Sequence, residues 1–242
     1  AKGFLVGSSL MSKPNLALAA RELVFGEIKV CGLTNPQDAI HAFQHGAQYG
    51  GLIFARRSPR AVSISQAQLI VDSAPMHFVG VFVEQSLSEI VNIQRKLSLF
   101  ALQLHGSYSE QDVHALRELC PEAQIWQVQK MLGDEPIHAT KATRLLLDSA
   151  VPANSSNVPD SSSVALDGGN GTSFNWQALA SYEDRSSLIL AGGLTPQNIV
   201  QAKATGVGML DVNSGVESFP GKKSVSQLTA LFDALRTIEN SI

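Results

Sequence analysis

The chain has 242 residues, 44% of them hydrophobic and 6% aromatic, with a formal net charge of -3. That length can bury a large core, either as one large α/β domain or as two small ones. The mild acidity removes the long-range attraction that a basic protein has for nucleic acid or an anionic membrane, so neither is expected as a partner and any anionic ligand has to be captured locally.

The first 26 residues stand apart from the rest of the chain. Gly3 to Ser9 reads as a strand with a small-residue turn, and Pro14 to Phe25 as a helix that Gly26 stops. The apolar run Phe4 to Met11 is too short for a membrane helix and lacks the basic leader of a signal peptide, so a cytoplasmic chain is expected.

From Ile28 onward, short β-branched runs alternate with amphipathic helical stretches, the pattern of a parallel sheet with crossover helices. Strands are predicted at Ile28 to Cys31, Tyr49 to Phe54, Phe78 to Val83, Leu102 to His105, Ile125 to Val128, Arg144 to Leu147, Leu188 to Ala191 and Met209 to Asn213. Helices are predicted at Gln37 to His45, Ser65 to Ser73, Ser86 to Lys96, Ser109 to Cys120, Asn175 to Tyr182, Pro196 to Ala204 and Val225 to Ile238. Thr195-Pro196 places a hydroxyl at an N-cap and a proline at the first helical position. Leu132 to Lys141 contains Gly133 and Pro136, so any helix there is short or irregular. Ser149 to Asp167 is rich in Ser, Pro and Asn and reads as a mobile loop.

Eight such units match a (β/α)8 TIM barrel, in which active sites sit at the carboxyl ends of the strands and phosphate binds after strands seven and eight. A ninth strand cannot join the closed barrel, so residues 1–26 have to pack outside it or be the end of something removed.

Several residues at those strand ends could carry chemistry. Cys31 ends the first strand beside Gly32; a thiol there can act as a base or can simply fill space as a small hydrophobe. Asp148 follows Leu145-Leu146-Leu147 and suits acid–base work or capping of the next turn, with Asp167 as a rival. Arg56, Arg57 and Arg60 put three cations in the loop after the second strand, enough to clamp a carboxylate or to be solvated. Gln103 and His105 end the fourth strand. Gly192-Gly193 and Asp211-Val212-Asn213-Ser214-Gly215 form the turns after the last two strands, where backbone N–H groups can meet a phosphate. Gly168-Gly169-Asn170-Gly171 is a further glycine cluster. Cys120, at a helix end before Pro121, reads as a buried thiol, and both cysteines are expected to be free. No zinc spacing, P-loop, serine elbow or dinucleotide fingerprint is found, so no metal or cofactor is expected.

Lys29-Val30-Cys31-Gly32-Leu33-Thr34, Gly50-Gly51-Leu52-Ile53-Phe54 with Ser58-Pro59-Arg60, Gln103-Leu104-His105-Gly106 and Leu147-Asp148 carry a family pattern. It continues through Gly168-Gly169-Asn170-Gly171-Thr172, Ala191-Gly192-Gly193-Leu194 and Asp211-Val212-Asn213-Ser214-Gly215-Val216-Glu217. Together, in this order, they resemble the phosphoribosylanthranilate isomerases. The chain departs from that pattern in a longer loop after Asp148 and in Asn170.

The resemblance implies an Amadori rearrangement in tryptophan biosynthesis, with Asp148 as acid and Cys31 as base. It implies that Arg60 holds the anthranilate carboxylate and that Gly192, Gly193, Asn213 and Ser214 hold the phosphate, with Gln103, His105, Gly169, Gly171 and Asp211 as further substrate contacts. Residues 1–26 resemble the final strand and helix of indole-glycerol-phosphate synthase. The expected organisation is therefore a remnant of that synthase with its linker helix over 1–26 and an isomerase barrel over 27–242. The parent would be a bifunctional protein, and a monomer is expected. Another sugar-phosphate barrel isomerase or epimerase, or a silent phosphate-binding domain, is the alternative.

Overall fold

The computed structural model describes residues 7–131, 136–138, 140–149 and 175–237. Eight parallel strands close into a barrel in sequence order: β1 (Glu27–Val30), β2 (Tyr49–Ile53), β3 (His77–Phe82), β4 (Ala101–Leu104), β5 (Gln124–Met131), β6 (Arg144–Ser149), β7 (Leu188–Leu190) and β8 (Met209–Val212). The seam is made by β8 on β1, with Met209 opposite Glu27 and Asp211 opposite Lys29. The eight-stranded (β/α)8 barrel expected from the alternating pattern is thus the fold.

Side chains alternate across each strand, so one set fills the barrel and the other packs under the helices. The inward set includes Tyr49, Val79, Ala101, Trp126, Ile189 and Met209 in its lower part, with Cys31, Ile53 and Val81 above. The outward set forms a larger apolar shell with the inner faces of the helices.

Those helices are α1 (Ser8–Met11), α2 (Leu16–Phe25), α3 (Pro36–His45), α4 (Ile64–Val71), α5 (Leu87–Leu97), α6 (Glu110–Leu119), α7 (Ile199–Ala204) and α8 (Val225–Thr237). Serine capping boxes start three of them, at Ser63 with Gln66, Ser86 with Glu89 and Ser109 with Asp112. In α3, Asn35 accepts from the Asp38 N–H at 2.9 Å and Pro36 occupies the first turn. Each device satisfies amides that a helix start leaves orphaned, and so fixes where a strand-to-helix loop ends.

Four sequence expectations are corrected. Ser8 and Ser9, expected at the end of a ninth strand, begin α1; residues 1–6 lie outside the described residues. Asn175–Tyr182 winds as a 3-10 helix over Trp176–Ser181. The helix expected from Pro196 starts only at Ile199, because residues 196–198 form a turn in which Thr195 Oγ1 accepts from the Gln197 N–H. A short hairpin, β9 (Glu217–Phe219) with β10 (Lys222–Lys223), was not anticipated between β8 and α8. The loop over 150–167 lies outside the described residues, as do Leu132 to Glu135.

Outside the barrel, α2 is capped by Asn15, whose side chain accepts from Leu18, and stopped by Gly26 at φ 75°. It is part of the folded unit: the Phe25 ring meets Phe232 of α8 edge-on at 5.1 Å, and the Arg21 guanidinium lies 3.9 Å from the Phe43 ring centroid. Gly46, at φ 141°, leaves the space that the Phe25 ring fills. Among the described residues no helix is long and apolar enough to cross a membrane. Phe25→Ala is expected to cost about 3 to 5 kcal/mol, the usual range for emptying a buried phenyl site. Urea denaturation checks this, and an unchanged midpoint would mean that α2 adds nothing to the barrel.

Candidate active site

The carboxyl ends of the strands converge on one cavity at the top of the barrel. Cys31 follows β1 directly; its N–H donates to Val212 O at 2.8 Å, which extends the β1–β8 seam and aims the thiol inward. Gly51 on β2 makes room for it, since a Cβ there would stand 2.6 Å from Sγ. Asp148, near the end of β6, is buried and lines the same cavity, with Oδ2 at 3.4 Å from Nε2 of His105. Gln103 and Asp211 line it as well.

The glycine turns complete the wall. Gly192 and Gly193 both take left-handed conformations, at φ 84° and 65°, and line the cavity together with Asn213 and Ser214. A Cβ on Gly192 would overlap Ser149 at the end of β6, and one on Gly215 would overlap Leu194 O. The two turns are therefore pressed against each other and against β6 in a way only glycine permits. Because α7 starts only at Ile199, no helix terminus directly adjoins the Gly192-Gly193 turn.

Beneath Cys31 lies a residue that spacing alone did not single out. Lys29, two positions earlier on the same inward face, is fully buried. Its Nζ donates to Asp211 Oδ2 at 2.5 Å, to Gln103 Oε1 at 2.8 Å and to Cys31 Sγ at 3.5 Å. Burial works against its charge, but Asp211 and Cys31 outweigh burial and hold the ammonium above its ordinary pKa. The Cys31 thiol is pushed up by burial; Lys29 pulls it down, Asp211 adds to the rise, and Lys223 pulls it down from the other side. The remaining Asp211 oxygen, Oδ1, is buried with no hydrogen-bond partner among the described residues.

A second ionic group roofs the site. Arg60, buried at 8% exposure, donates from Nε and Nη2 to the Glu217 carboxylate at 2.7 to 3.1 Å. Lys223 Nζ donates to Glu217 at 2.9 Å and to Asn213 Oδ1 at 3.0 Å. Arg60 passes directly over Gly32, where a Cβ would stand 2.7 Å from its Cδ. Of the three cations in that loop it alone turns in: Arg57 is exposed, and Arg56 is exposed and paired with Glu89 at the surface.

Six of the twelve site residues predicted from sequence, Cys31, Gln103, His105, Asp148, Asp211 and Asn213, bring side chains to one cavity, and Gly192, Gly193 and Ser214 join them. Arg60 sits beside this group in its pair with Glu217. Gly169 and Gly171 lie outside the described residues, as does Asp167. Lys29, Glu217 and Lys223 were missed as functional candidates, as was Lys130, which stands opposite Asp148 on β5. Lys29 was detectable: a lysine two residues before a strand-end cysteine must share its face. Among the described residues no three His, Cys, Asp or Glu side chains converge as a metal site would require.

The mouth of the parallel barrel thus holds a buried thiol, a carboxyl and paired glycine turns after its last two strands, at the end where barrel enzymes carry their active sites. Residues 28–234 match the family described as N-(5'phosphoribosyl)anthranilate (PRA) isomerase, and the chain belongs to that family. The tryptophan biosynthesis protein TrpCF of Vibrio cholerae is 44% identical over 98% of the chain and 48% of its own length; that of Salmonella typhi is 42% identical over 98% and 49%. The chain thus spans about half the length of these relatives. Among solved structures, phosphoribosylanthranilate isomerase from Thermus thermophilus superposes with a TM-score of 0.73 at 28% identity, covering 88% of this chain and 99% of that one. Another, 25% identical with a TM-score of 0.68 and covering 87% and 98%, is a complex with reduced 1-(o-carboxyphenylamino)-1-deoxyribulose 5-phosphate.

The roof is also a source of pH dependence. Burial raises the Glu217 carboxyl, but Arg60 and Lys223 more than offset that and leave it below the ordinary glutamate range. Its stabilisation is therefore complete above the unfolded value, about 4.3, and is lost as pH falls through the lower folded value. Glu217→Gln should lower urea stability at pH 7 and flatten the decline between about pH 5 and 3; an acid limb identical to that of the parent protein would contradict this.

Proposed function

We propose that this chain isomerises N-(5-phosphoribosyl)anthranilate to 1-(2-carboxyphenylamino)-1-deoxyribulose 5-phosphate, with Cys31 as base and Asp148 as acid. The observation that carries the reading is that the thiol, the carboxyl and both glycine turns line a single cavity. The complex of a family member with a reduced form of that ketose phosphate supports the same substrate class.

The phosphate sits on the amides of Gly192, Gly193 and Ser214 with Asn213 alongside, and Arg60, which meets Asn213 across Gly32, takes the anthranilate carboxylate. The pair with Glu217 uses Nε and Nη2 of Arg60, which orients the guanidinium and leaves the edge that carries Nη1 for the ligand. Gripping both ends fixes the ribose between acid and base, and such positioning supplies several kcal/mol of the barrier reduction.

Asp148 donates its proton to the ring oxygen O4′ as the C1′–O4′ bond breaks and the anthranilate nitrogen lone pair forms a C1′=N iminium. Cys31 thiolate then takes the proton from C2′, and the C2′–H electrons form the C1′=C2′ bond of an enolamine while the iminium electrons return to nitrogen. Proton transfer from the 2′-hydroxyl and reprotonation at C1′ give the aminoketose. His105, beside Asp148, and the buried Oδ1 of Asp211 are placed to bind ribose hydroxyls. Apart from the C1′–O4′ cleavage that the nitrogen lone pair drives, every step is proton transfer, and none calls for a cofactor. The length of the TrpCF relatives supports a place for this chain as the isomerase half of a two-enzyme protein.

Mixing the protein with freshly made phosphoribosylanthranilate and measuring the loss of anthranilate-type fluorescence tests the activity. Cys31→Ala and Asp148→Asn should each lower kcat at least about a hundredfold with the fold intact; near-normal turnover in either would remove that residue from its role. Arg60→Lys, which loses the planar fork, should raise KM about tenfold or more with a smaller change in kcat. An unchanged KM would place the carboxylate elsewhere.

A further inference from the structure

A base that works as a thiolate needs a counter-charge, and burial alone would keep Cys31 protonated. Among the described residues, the charged and titratable groups that face the cavity or its roof are Lys29, Asp211 from β8, Lys223 from β10, His105 from the end of β4, Asp148 from β6 with Lys130 opposite it on β5, and the Arg60–Glu217 pair beyond Gly32. Among the described residues, Lys29 is the cation that donates a hydrogen bond to the sulfur. Lys223 donates instead to Glu217 and Asn213, and Arg60 to Glu217.

Lys29 is also held from three directions. Asp211, its register partner across the barrel seam, fixes Nζ from β8, and Gln103 fixes it from β4 on the far side of the lumen. An ammonium this constrained has no freedom to snorkel to water, and all three of its protons are committed. Asp211 and Gln103 satisfy two of those protons with groups that stay fixed in the frame. The third proton, directed at Sγ of the residue two places on, ties the pair to the chemistry.

We propose that Lys29 is the positioning residue of the acid–base pair: its ammonium, pinned by Asp211 and Gln103, aims Sγ of Cys31 at the cavity and supplies the counter-charge to its thiolate. This rests on the proposed isomerase reaction for what the thiolate does, but the state of the sulfur can be read without turnover.

The test is the pH dependence of Cys31 alkylation by iodoacetamide, with peptide mapping to separate Cys31 from Cys120, alongside steady-state kinetics. Lys29→Met should move the alkylation midpoint up by about one pH unit or more. It should also lower kcat about a hundredfold while KM stays within roughly threefold, and Lys29→Arg should recover at least about a tenth of the lost rate. Asp211→Asn, which removes the anion and leaves the ammonium, should move the midpoint the other way, to lower pH, and it decides the matter if Lys29→Met does not fold. A midpoint unmoved in either folded variant, or moved in the same direction in both, overturns the assignment. If the parent protein alkylates as expected but does not consume phosphoribosylanthranilate, it is the isomerase reaction that fails.

Discussion

The Lys29–Asp211 pair joins the barrel's closure to its chemistry. It lies on the seam where β8 meets β1, with its two residues in register and the ammonium wholly removed from water. A buried charge is expensive, and attraction to a partner offsets that cost only with good geometry and with the remaining protons satisfied. Asp211, Gln103 and Cys31 meet that condition together, so the last strand can close only in the register that also assembles the floor of the site. Removing either ion would strand the other in the lumen, which is why the pair specifies the arrangement more than it stabilises it.

The roof repeats the arrangement at a second level. Lys223 holds Glu217, Glu217 holds Arg60, and the hairpin that carries Glu217 and Lys223 is tied to α3 through Asp38, which accepts from Lys222 Nζ at 2.6 Å and from the Lys223 N–H at 2.8 Å. Thr34 in the loop after β1 adds a bond to Gly221 O in the same hairpin. The thiol therefore sits between two charged layers built from β1, β8 and the hairpin after β8. The carboxyl of Asp148 faces it from β6, held at a strand end where backbone pairing with β5 limits its movement. Loops carry the glycines and the arginine, while Asp148 and Cys31 stand at strand ends on the rigid frame.

Much of this was legible in the sequence because it is local. Short β-branched runs located all eight strands to within a few residues, and the helices predicted from Ser86 and Ser109 begin at those caps. The ends of strands one, four, six, seven and eight pointed to Cys31, Gln103, His105, Asp148, Gly192, Asp211 and Asn213, since closure brings strand ends together whatever lies between. What escaped depends on contacts distant in the chain. The hairpin over Glu217–Lys223 is two and three residues per strand, too short for a periodic signal, and it forms because Asp38 and Arg60 provide partners from elsewhere. The cost of burying Lys29 becomes visible only once Asp211, 182 positions away, is opposite it. Pro196 marked a helix start that the Asn198 side chain, accepting from the Thr195 N–H, delays to Ile199. Arg60 was singled out from its loop through the family resemblance, and its bond to Glu217 lay outside what spacing can show.

The most direct test of a thiol and a carboxyl acting across one cavity between two anion grips is a crystal structure of this chain with the reduced ketose phosphate bound. The phosphate is expected on the turns at Gly192-Gly193 and Asn213-Ser214, the benzoate on Arg60, and Cys31 Sγ roughly 3.5 Å from C2′ with Asp148 on the O4′ side. A phosphate seated away from those turns, or a sulfur facing away from C2′, would contradict the proposed chemistry.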